Sequence, residues 1–119
     1  MKHKTHTIDL GRLSVRQLRA RRQQLTRGLG DVAMTLRGAL LRQRRRCGKE
    51  GCRCQRGELH GPYVYLAVGR AGGRRQLLYV PSELVGAVRR RVAQTGRIER
   101  ALAAISAINR ELMTRRALD

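Results

Sequence analysis

Three cysteines and a histidine occur close together in this chain: Cys47, Cys52, Cys54 and His60, spaced C-x4-C-x-C-x5-H. Three thiolates and an imidazole form a ligand set that suits tetrahedral zinc. Intervening glycines allow the backbone to fold around an ion. We therefore predict a structural zinc site at these four residues, in which Glu58 could replace His60 as an oxygen ligand. In the alternative interpretation, one or two cysteines pack as small apolar side chains and the histidine satisfies a turn.

Basic residues lie on both sides of the cysteines. The chain carries 27 Lys and Arg against 8 Asp and Glu, a formal net charge of +19. Such a chain repels itself unless it meets a polyanion, and the planar guanidinium donates parallel hydrogen bonds to phosphate. We expect nucleic acid as the partner, with an anionic membrane surface as the alternative. Two of the predicted contacts are tyrosines, which could stack on unpaired bases. The predicted contacts are Arg42, Arg44, Arg45, Arg46, Lys49, Arg53, Arg56, Arg70, Arg74, Arg75, Tyr63 and Tyr65.

The sequence offers little for catalysis. The acidic residues are scattered, and no pair has the spacing of a two-metal nuclease site. The H-x-E…P-C-x-x-C pattern of nucleobase deaminases is absent, and GRAGGR at 69–74 lacks the ending of a P-loop. A zinc on three thiolates with Glu58 as base is the remaining catalytic alternative. We predict no enzymatic activity and no catalytic residue.

Strand patterns flank the cysteine cluster directly. We predict a first strand from about Met34 to Arg45, in which Gly38 suits a close approach of two backbones. After the cluster, PYVYLAV (62–68) and RQLLYV (75–80) are predicted to form a hairpin around a glycine-rich turn. The zinc site would therefore close the connection between the first two strands of a three-stranded antiparallel sheet.

Helical patterns lie further out on both sides. Ser14 can cap a helix over residues 14–28, whose apolar side chains recur at three- and four-residue steps. Helix also dominates residues 82–118, as one long helix or as two if TGR at 95–97 breaks it. An apolar stripe there contains an Asn, a residue that fixes register and dimer state in coiled coils; alternatively the stripe packs on the protein's own sheet and first helix. The candidate dimer or partner seam is Ile98, Leu102, Ile105, Asn109 and Leu112.

Together these elements predict an α+β fold: an N-terminal helix, a small three-stranded antiparallel sheet with a Cys/His zinc knuckle, and a helical C-terminal region. We expect a flexible basic tail at 1–13 and a single small domain at 14–119, with helix at 14–28, sheet and knuckle at 34–81, and helix at 82–118. No apolar run is long enough to span a membrane, and the N-terminus lacks a signal-peptide core. Reduced thiols favour the cytoplasm, with nucleoid association as an option.

The segment CGKEGCRCQRGELHGPYVYL, with YVP after the hairpin and INREL near the end, resembles a family of small uncharacterised bacterial and archaeal proteins. Their shared core reads CGK-x-x-C-x-C…G-x-x-HGPY-x-YL, and the resemblance covers about residues 35–113. It implies the same fold and a context of mobile elements, phage or recombination, and it assigns no activity. The motif positions that it carries over are Cys47, Cys52, Cys54, His60, Gly61, Pro62 and Tyr63.

The sequence thus predicts a zinc-stabilised, basic accessory protein that binds DNA or RNA mainly through phosphate contacts, within a mobile-element, recombination or nucleic-acid-processing complex. The alternative is an adaptor that docks a partner nuclease or recombinase through its C-terminal helical region, which could also support a homodimer. The choice between DNA and RNA stays open, as does the choice between His60 and Glu58. Exposure of Tyr63 and Tyr65 would bear on single- or double-strand preference.

Overall fold

The computed structural model of the protein describes residues 8–57, 59–69 and 72–119, apart from the side chains of Cys54 and Gln55. The fold is α+β, as predicted: a helix, a three-stranded antiparallel sheet, and one long C-terminal helix. Short 3₁₀ turns connect these elements. The elements are α1 (Val15–Arg27), β1 (Ala39–Arg45), β2 (His60–Gly69), β3 (Arg75–Val80) and α2 (Val85–Thr114).

The sheet has the strand order β1-β2-β3, with β2 in the centre. In the β1–β2 ladder Ala39 pairs with Ala67 and Arg45 pairs with His60, with a register shift between Gln43 and Arg45. This pairing brings the end of β1 beside the start of β2. The connection that carries the cysteines therefore leaves and returns at the same end of the sheet.

The first strand begins at Ala39 and not at Met34 as predicted, because the backbone at Gly38 departs from strand geometry. Gly38 has a φ of 145°, in the region that favours glycine. A Cβ at this position would lie 2.8 Å from the carbonyl oxygen of Ala67 and 2.8 Å from Leu66 Cδ1. The predicted close approach of two backbones at Gly38 is confirmed, and the preceding residues form a 3₁₀ turn at Val32–Met34.

Two compact units make up the chain: Ala33–Gly96, and Arg97–Asp119 together with the N-terminal part up to Val32. The first contains the whole sheet, and the second contains α1. Because α2 contributes residues to both units, this division does not by itself make them separate domains. The single domain expected over 14–119 stays a prediction.

The unit that contains α1 is built on a small aliphatic core. Leu18, Ile108 and Leu112 are fully buried against one another. α1 begins with a capping box: the Gln17 N–H donates to the Ser14 hydroxyl (3.1 Å), and the Ser14 N–H donates to the Gln17 side chain (2.8 Å). This cap fixes where α1 starts and so which of its side chains reach the core.

Arg115, just after α2, holds the segment that precedes α1. Its guanidinium donates to the carbonyl oxygens of Leu10, Gly11 and Leu13. It also pairs with the Glu111 carboxylate at 2.8 Å. One side chain thereby satisfies three backbone acceptors that come from a stretch about a hundred residues away in the sequence.

α2 passes through the TGR sequence without a break, so the one-helix alternative is correct. Thr95 is buried, and its hydroxyl donates to the carbonyl oxygen of Arg91 at 2.7 Å. The hydroxyl oxygen of Thr95 also accepts the Leu36 N–H, at 2.7 Å. These bonds satisfy the threonine within the helix and offset the weak helix propensity of Gly96. Among the described residues, no helix is both long and apolar enough to cross a membrane.

Candidate metal centre and nucleic-acid interface

The pairing of β1 with β2 places the first and last predicted ligands side by side. Cys47 follows the last residue of β1 by two positions, and His60 is the first residue of β2. Since Arg45 pairs with His60 across the ladder, the chain leaves the sheet next to the point where it returns. A metal at this point would close the connection at its base.

A turn in the connection brings Cys52 to the same place. The Cys52 N–H donates to the Lys49 carbonyl oxygen at 3.4 Å. Gly51 supplies the φ of 77° that this turn requires, a value that side-chain-bearing residues adopt only at a cost. The 3₁₀ turn Arg53–Arg56 then leads back towards β2. Turn chemistry, and not strand pairing, thus positions the second thiol.

Three of the predicted ligand atoms converge. The Nε2 atom of His60 lies 2.9 Å from Cys52 Sγ and 3.2 Å from Cys47 Sγ. The three ligand atoms all lie within 4.8 Å of one another, and the three residues are half-buried. Two thiols and one imidazole nitrogen this close together could hold a metal ion.

This donor set fits zinc. Tetrahedral zinc binds sulfur at about 2.3 Å and imidazole nitrogen at about 2.0 Å, which holds the two ligand atoms about 3.5 Å apart. The separations of 2.9 Å and 3.2 Å are slightly shorter, so a small rotation of the side chains would admit the ion. His60 lies with the thiols of Cys47 and Cys52. The other predicted alternative, Glu58, and the predicted Cys54 ligand atom lie outside the described part of the chain.

The predicted basic contacts lie at the surface, on and next to the sheet. They lie on both faces of the sheet. Arg42 pairs with Val64 across the β1–β2 ladder and shares its face, while the Arg45 guanidinium lies over the Tyr65 ring on the other face. Arg70 lies outside the described residues. The exposed side chains are Arg42, Arg44, Arg45, Arg46, Lys49, Arg53, Arg56, Arg74 and Arg75.

The two predicted tyrosines, Tyr63 and Tyr65, are half-buried in β2. A third, Tyr79, was not among the predicted contacts, although it is 58% exposed. It lies directly opposite Tyr65, with ring centroids 6.0 Å apart and planes at 67°. Strand alternation in RQLLYV indicates that Tyr79 points to one face of the sheet. Only the register of the hairpin shows that Tyr65 points to the same face.

The predicted partner seam on α2 divides between core and surface. Leu112 is fully buried in the core with Leu18 of α1, which agrees with the alternative of packing within the protein. Ile98 is also buried. The Asn109 side-chain oxygen accepts a hydrogen bond from Arg22 at 2.9 Å. Leu102 is 52% exposed, and Ile105 is half-buried.

Comparison with known proteins identifies a family. No curated protein and no solved structure gives a significant match. Residues 15–90 match the model of DUF6788, described as a domain of unknown function. The matched region runs from α1 through the metal-ligand cluster and the sheet to the start of α2, which is more than half of the chain. The chain therefore belongs to the DUF6788 family, a domain of unknown function.

Proposed function

We propose that this protein is a zinc-stabilised accessory protein, without enzymatic activity, that binds nucleic acid mainly through phosphate contacts. The observation that carries the proposal is the convergence of Cys47, Cys52 and His60 within a connection that also carries four exposed basic side chains, Arg46, Lys49, Arg53 and Arg56. A polyanion is the partner that suits a chain with a net charge of +19.

The metal has a structural part in this proposal. Cys47, Cys52 and His60 would hold it, and when bound it supplies a link between the connection and the first residue of β2. The connection has few apolar side chains of its own, so without a link its ordering would cost backbone entropy that little burial offsets. The ligands thus serve to hold nearby basic side chains in one arrangement.

The exposed arginines do the binding in this proposal. Arg46, Arg53 and Arg56 extend from the connection, Arg74 lies just before β3, and Arg75 is its first residue. Guanidinium groups on an ordered frame lose less entropy on meeting phosphate than those on a mobile tail. Binding would be mostly independent of sequence and would weaken as salt rises, because phosphate contacts release counterions.

Fluorescence anisotropy with labelled oligonucleotides over a range of salt concentrations tests this function. Arg53→Gln with Arg56→Gln should weaken binding and reduce the slope of log K against log salt by up to about 0.9 for each lost contact with duplex. Arg97→Gln with Arg100→Gln, two exposed positions on α2, is the matched control. Absence of binding at low salt, or equal losses in both double variants, would contradict the proposal.

The biological context belongs to the proposal as well. A mobile-element, recombination or nucleic-acid-processing complex is suggested by the resemblance of the cysteine motif to the proteins described above. The proposed compartment is the cytoplasm, where thiols stay reduced and the nucleoid offers nucleic acid. Sequencing the nucleic acid that copurifies with the protein would test this context and would separate DNA from RNA.

A second candidate function is an adaptor that docks a partner nuclease or recombinase. An apolar groove along the C-terminal part of α2 and the residues after it favours the adaptor function. Its lining includes Leu102, Met113 and Leu118, which are each more than half exposed. A stoichiometric protein partner that remains after nuclease treatment would support the adaptor. Light scattering that gives only a monomer, with no such partner, would count against both docking and a homodimer.

A further inference from the structure

All three tyrosines of the chain lie on one face of the sheet. Tyr63 and Tyr65 are two residues apart on β2, so their side chains lie on the same side. Tyr79 on β3 is directly opposite Tyr65, which puts it on that side too. We call this surface the tyrosine face; on the other face, Leu66 and Val80 are buried.

Basic side chains accompany the tyrosines. The Arg45 guanidinium lies over the Tyr65 ring, 4.9 Å from its centroid. Arg75 is four residues before Tyr79 on β3, and it pairs with Gly69, which has no side chain to compete for space. Both arginines are exposed. The tyrosine face therefore combines aromatic rings with positive charge, and it carries no acidic side chain on its three strands.

The outermost ring of this face is available to a ligand. Tyr79 is 58% exposed, and it meets Tyr65 edge to face instead of being covered by it. Arg45, whose guanidinium lies over the Tyr65 ring, is exposed as well. Rings and guanidinium planes are the groups on which proteins stack unpaired bases.

We infer that the tyrosine face stacks unpaired bases, so that the nucleic acid bound by this protein is single-stranded. This inference rests on the proposed function and adds the class of substrate to it. In a duplex every base is already stacked between its neighbours and could not reach Tyr79 without being extruded. In a single strand the base stacks on Tyr79 and the adjoining phosphates meet Arg45 and Arg75.

The chain's own fluorescence can report the contact. It contains no Trp, and its three Tyr all lie on this face, so intrinsic emission comes from this surface alone. Titration with oligothymidylate and oligouridylate of roughly a dozen nucleotides should quench it, and a blunt duplex of equal charge should not. Comparing the two oligomers separates DNA from RNA as the preferred single strand.

Adjacent residues on β3 give a matched pair of variants. Tyr79→Ala removes a ring from the tyrosine face and should weaken single-strand binding by roughly 5- to 150-fold, the range for losing one stacked base. Leu78→Ala changes the next residue, which is 42% exposed on the opposite face, and should leave affinity unchanged. Tyr79→Phe keeps the ring and should keep the affinity. Both positions are exposed, so we expect all three variants to fold.

The outcomes separate this inference from the function on which it rests. Equal affinity for single strands and duplex, with no loss in Tyr79→Ala, would overturn the tyrosine face as a stacking surface and leave phosphate binding intact. Equal losses in Tyr79→Ala and Leu78→Ala would also overturn it, because the effect would then belong to the edge strand in general. No binding to any oligonucleotide would overturn the proposed function itself.

Discussion

The Nε2 atom of His60 lies 2.9 Å from the Sγ atom of Cys52, although one residue begins a strand and the other lies in a turn. The sheet fixes the histidine through its pairing with Arg45. The position of the cysteine depends on the turn from Lys49 to Cys52, which contains Gly51. A metal ion held between them would join a well-anchored group to a poorly anchored one, so the stability of the connection should depend on it.

We predict that the purified protein contains about one equivalent of zinc per chain. Cys52→Ser should lose most of this zinc and unfold at a lower temperature, because metal-binding free energy contributes to folding. Metal analysis and thermal denaturation with and without a chelator measure both effects. Arg53→Ser, the adjacent exposed position, is the control and should retain the metal. Unchanged zinc and stability in Cys52→Ser would rule out this ligand.

Substitutions that shorten side chains in the core around Leu18 should be strongly destabilising. Leu18 is fully buried against Ile108 and Leu112, so Leu18→Ala removes buried methyl groups and leaves a cavity. We expect the free energy of unfolding to fall by about 2–5 kcal/mol. Leu102→Ala truncates a side chain that is half exposed, so its free energy of unfolding should fall by much less than that of Leu18→Ala. Urea unfolding of both variants measures the difference, and equal losses would place Leu18 outside the core.

Gly38→Ala should destabilise the sheet severely. The added Cβ would lie 2.8 Å from the Ala67 carbonyl oxygen, at a φ of 145° that alanine rarely adopts. The strained backbone alone costs about 1–3 kcal/mol, and the contact adds to it. Gly48→Ala is the control, since a Cβ there meets nothing within 4 Å. Circular dichroism on heating should show a large drop in the melting temperature of the first variant only.

Arg116→Gly should stabilise the protein. Arg116 has a φ of 54° just after α2, in a motif where Ala117 N–H donates to the Leu112 carbonyl oxygen. Glycine usually occupies this position, because the left-handed conformation costs other residues about 1–2 kcal/mol. Part of that gain is lost to the entropy of the unfolded chain, so we expect about 0.5–1 kcal/mol in urea unfolding. Arg110→Gly, within the helix, should instead lower stability by about 1 kcal/mol.

The ion pair between Arg22 and Asp119 should contribute to stability only above acidic pH. The two groups are 3.0 Å apart, and hydrogen bonds from Arg22 hold the pKa of the Asp119 carboxyl below its usual value. A lowered folded-state pKa gives stability that is present above the ordinary value and is lost as pH falls through the folded one. Wild type should therefore have a slightly higher melting temperature than Asp119→Asn at neutral pH, and this difference should close at acidic pH, below the ordinary pKa of an aspartate carboxyl. A gap independent of pH would assign the effect to packing.

Local sequence signals were sufficient for the order and type of the elements. Ser14 caps α1, the glycine-rich turn joins β2 to β3, and the cysteines flank the sheet, all of which depend on neighbouring residues. The strand start that was misplaced and the helix continuity that was left open both depend on distant residues. The start of β1 follows from the contact of Gly38 with Ala67, and the continuity of α2 through Thr95 follows from its hydrogen bond to Leu36.

In the candidate site, too, some features could be predicted from the sequence and others could not. The ligand types and their order in the chain predict the grouping of Cys47, Cys52 and His60, because metal sites have restricted chemistry. The shared face of Tyr65 and Tyr79 requires the register of the hairpin, which a glycine-rich connection leaves undetermined until the strands pair.

Arg115 shows that arginine has a second use in this chain besides charge. Exchanging every arginine for lysine would keep the formal net charge at +19. It would still remove the planar fork that reaches the carbonyl oxygens of Leu10, Gly11 and Leu13 while pairing with Glu111. A lysine ammonium has three donors on one atom and cannot span those acceptors. An all-lysine chain would thus keep its attraction to phosphate and release the segment that precedes α1.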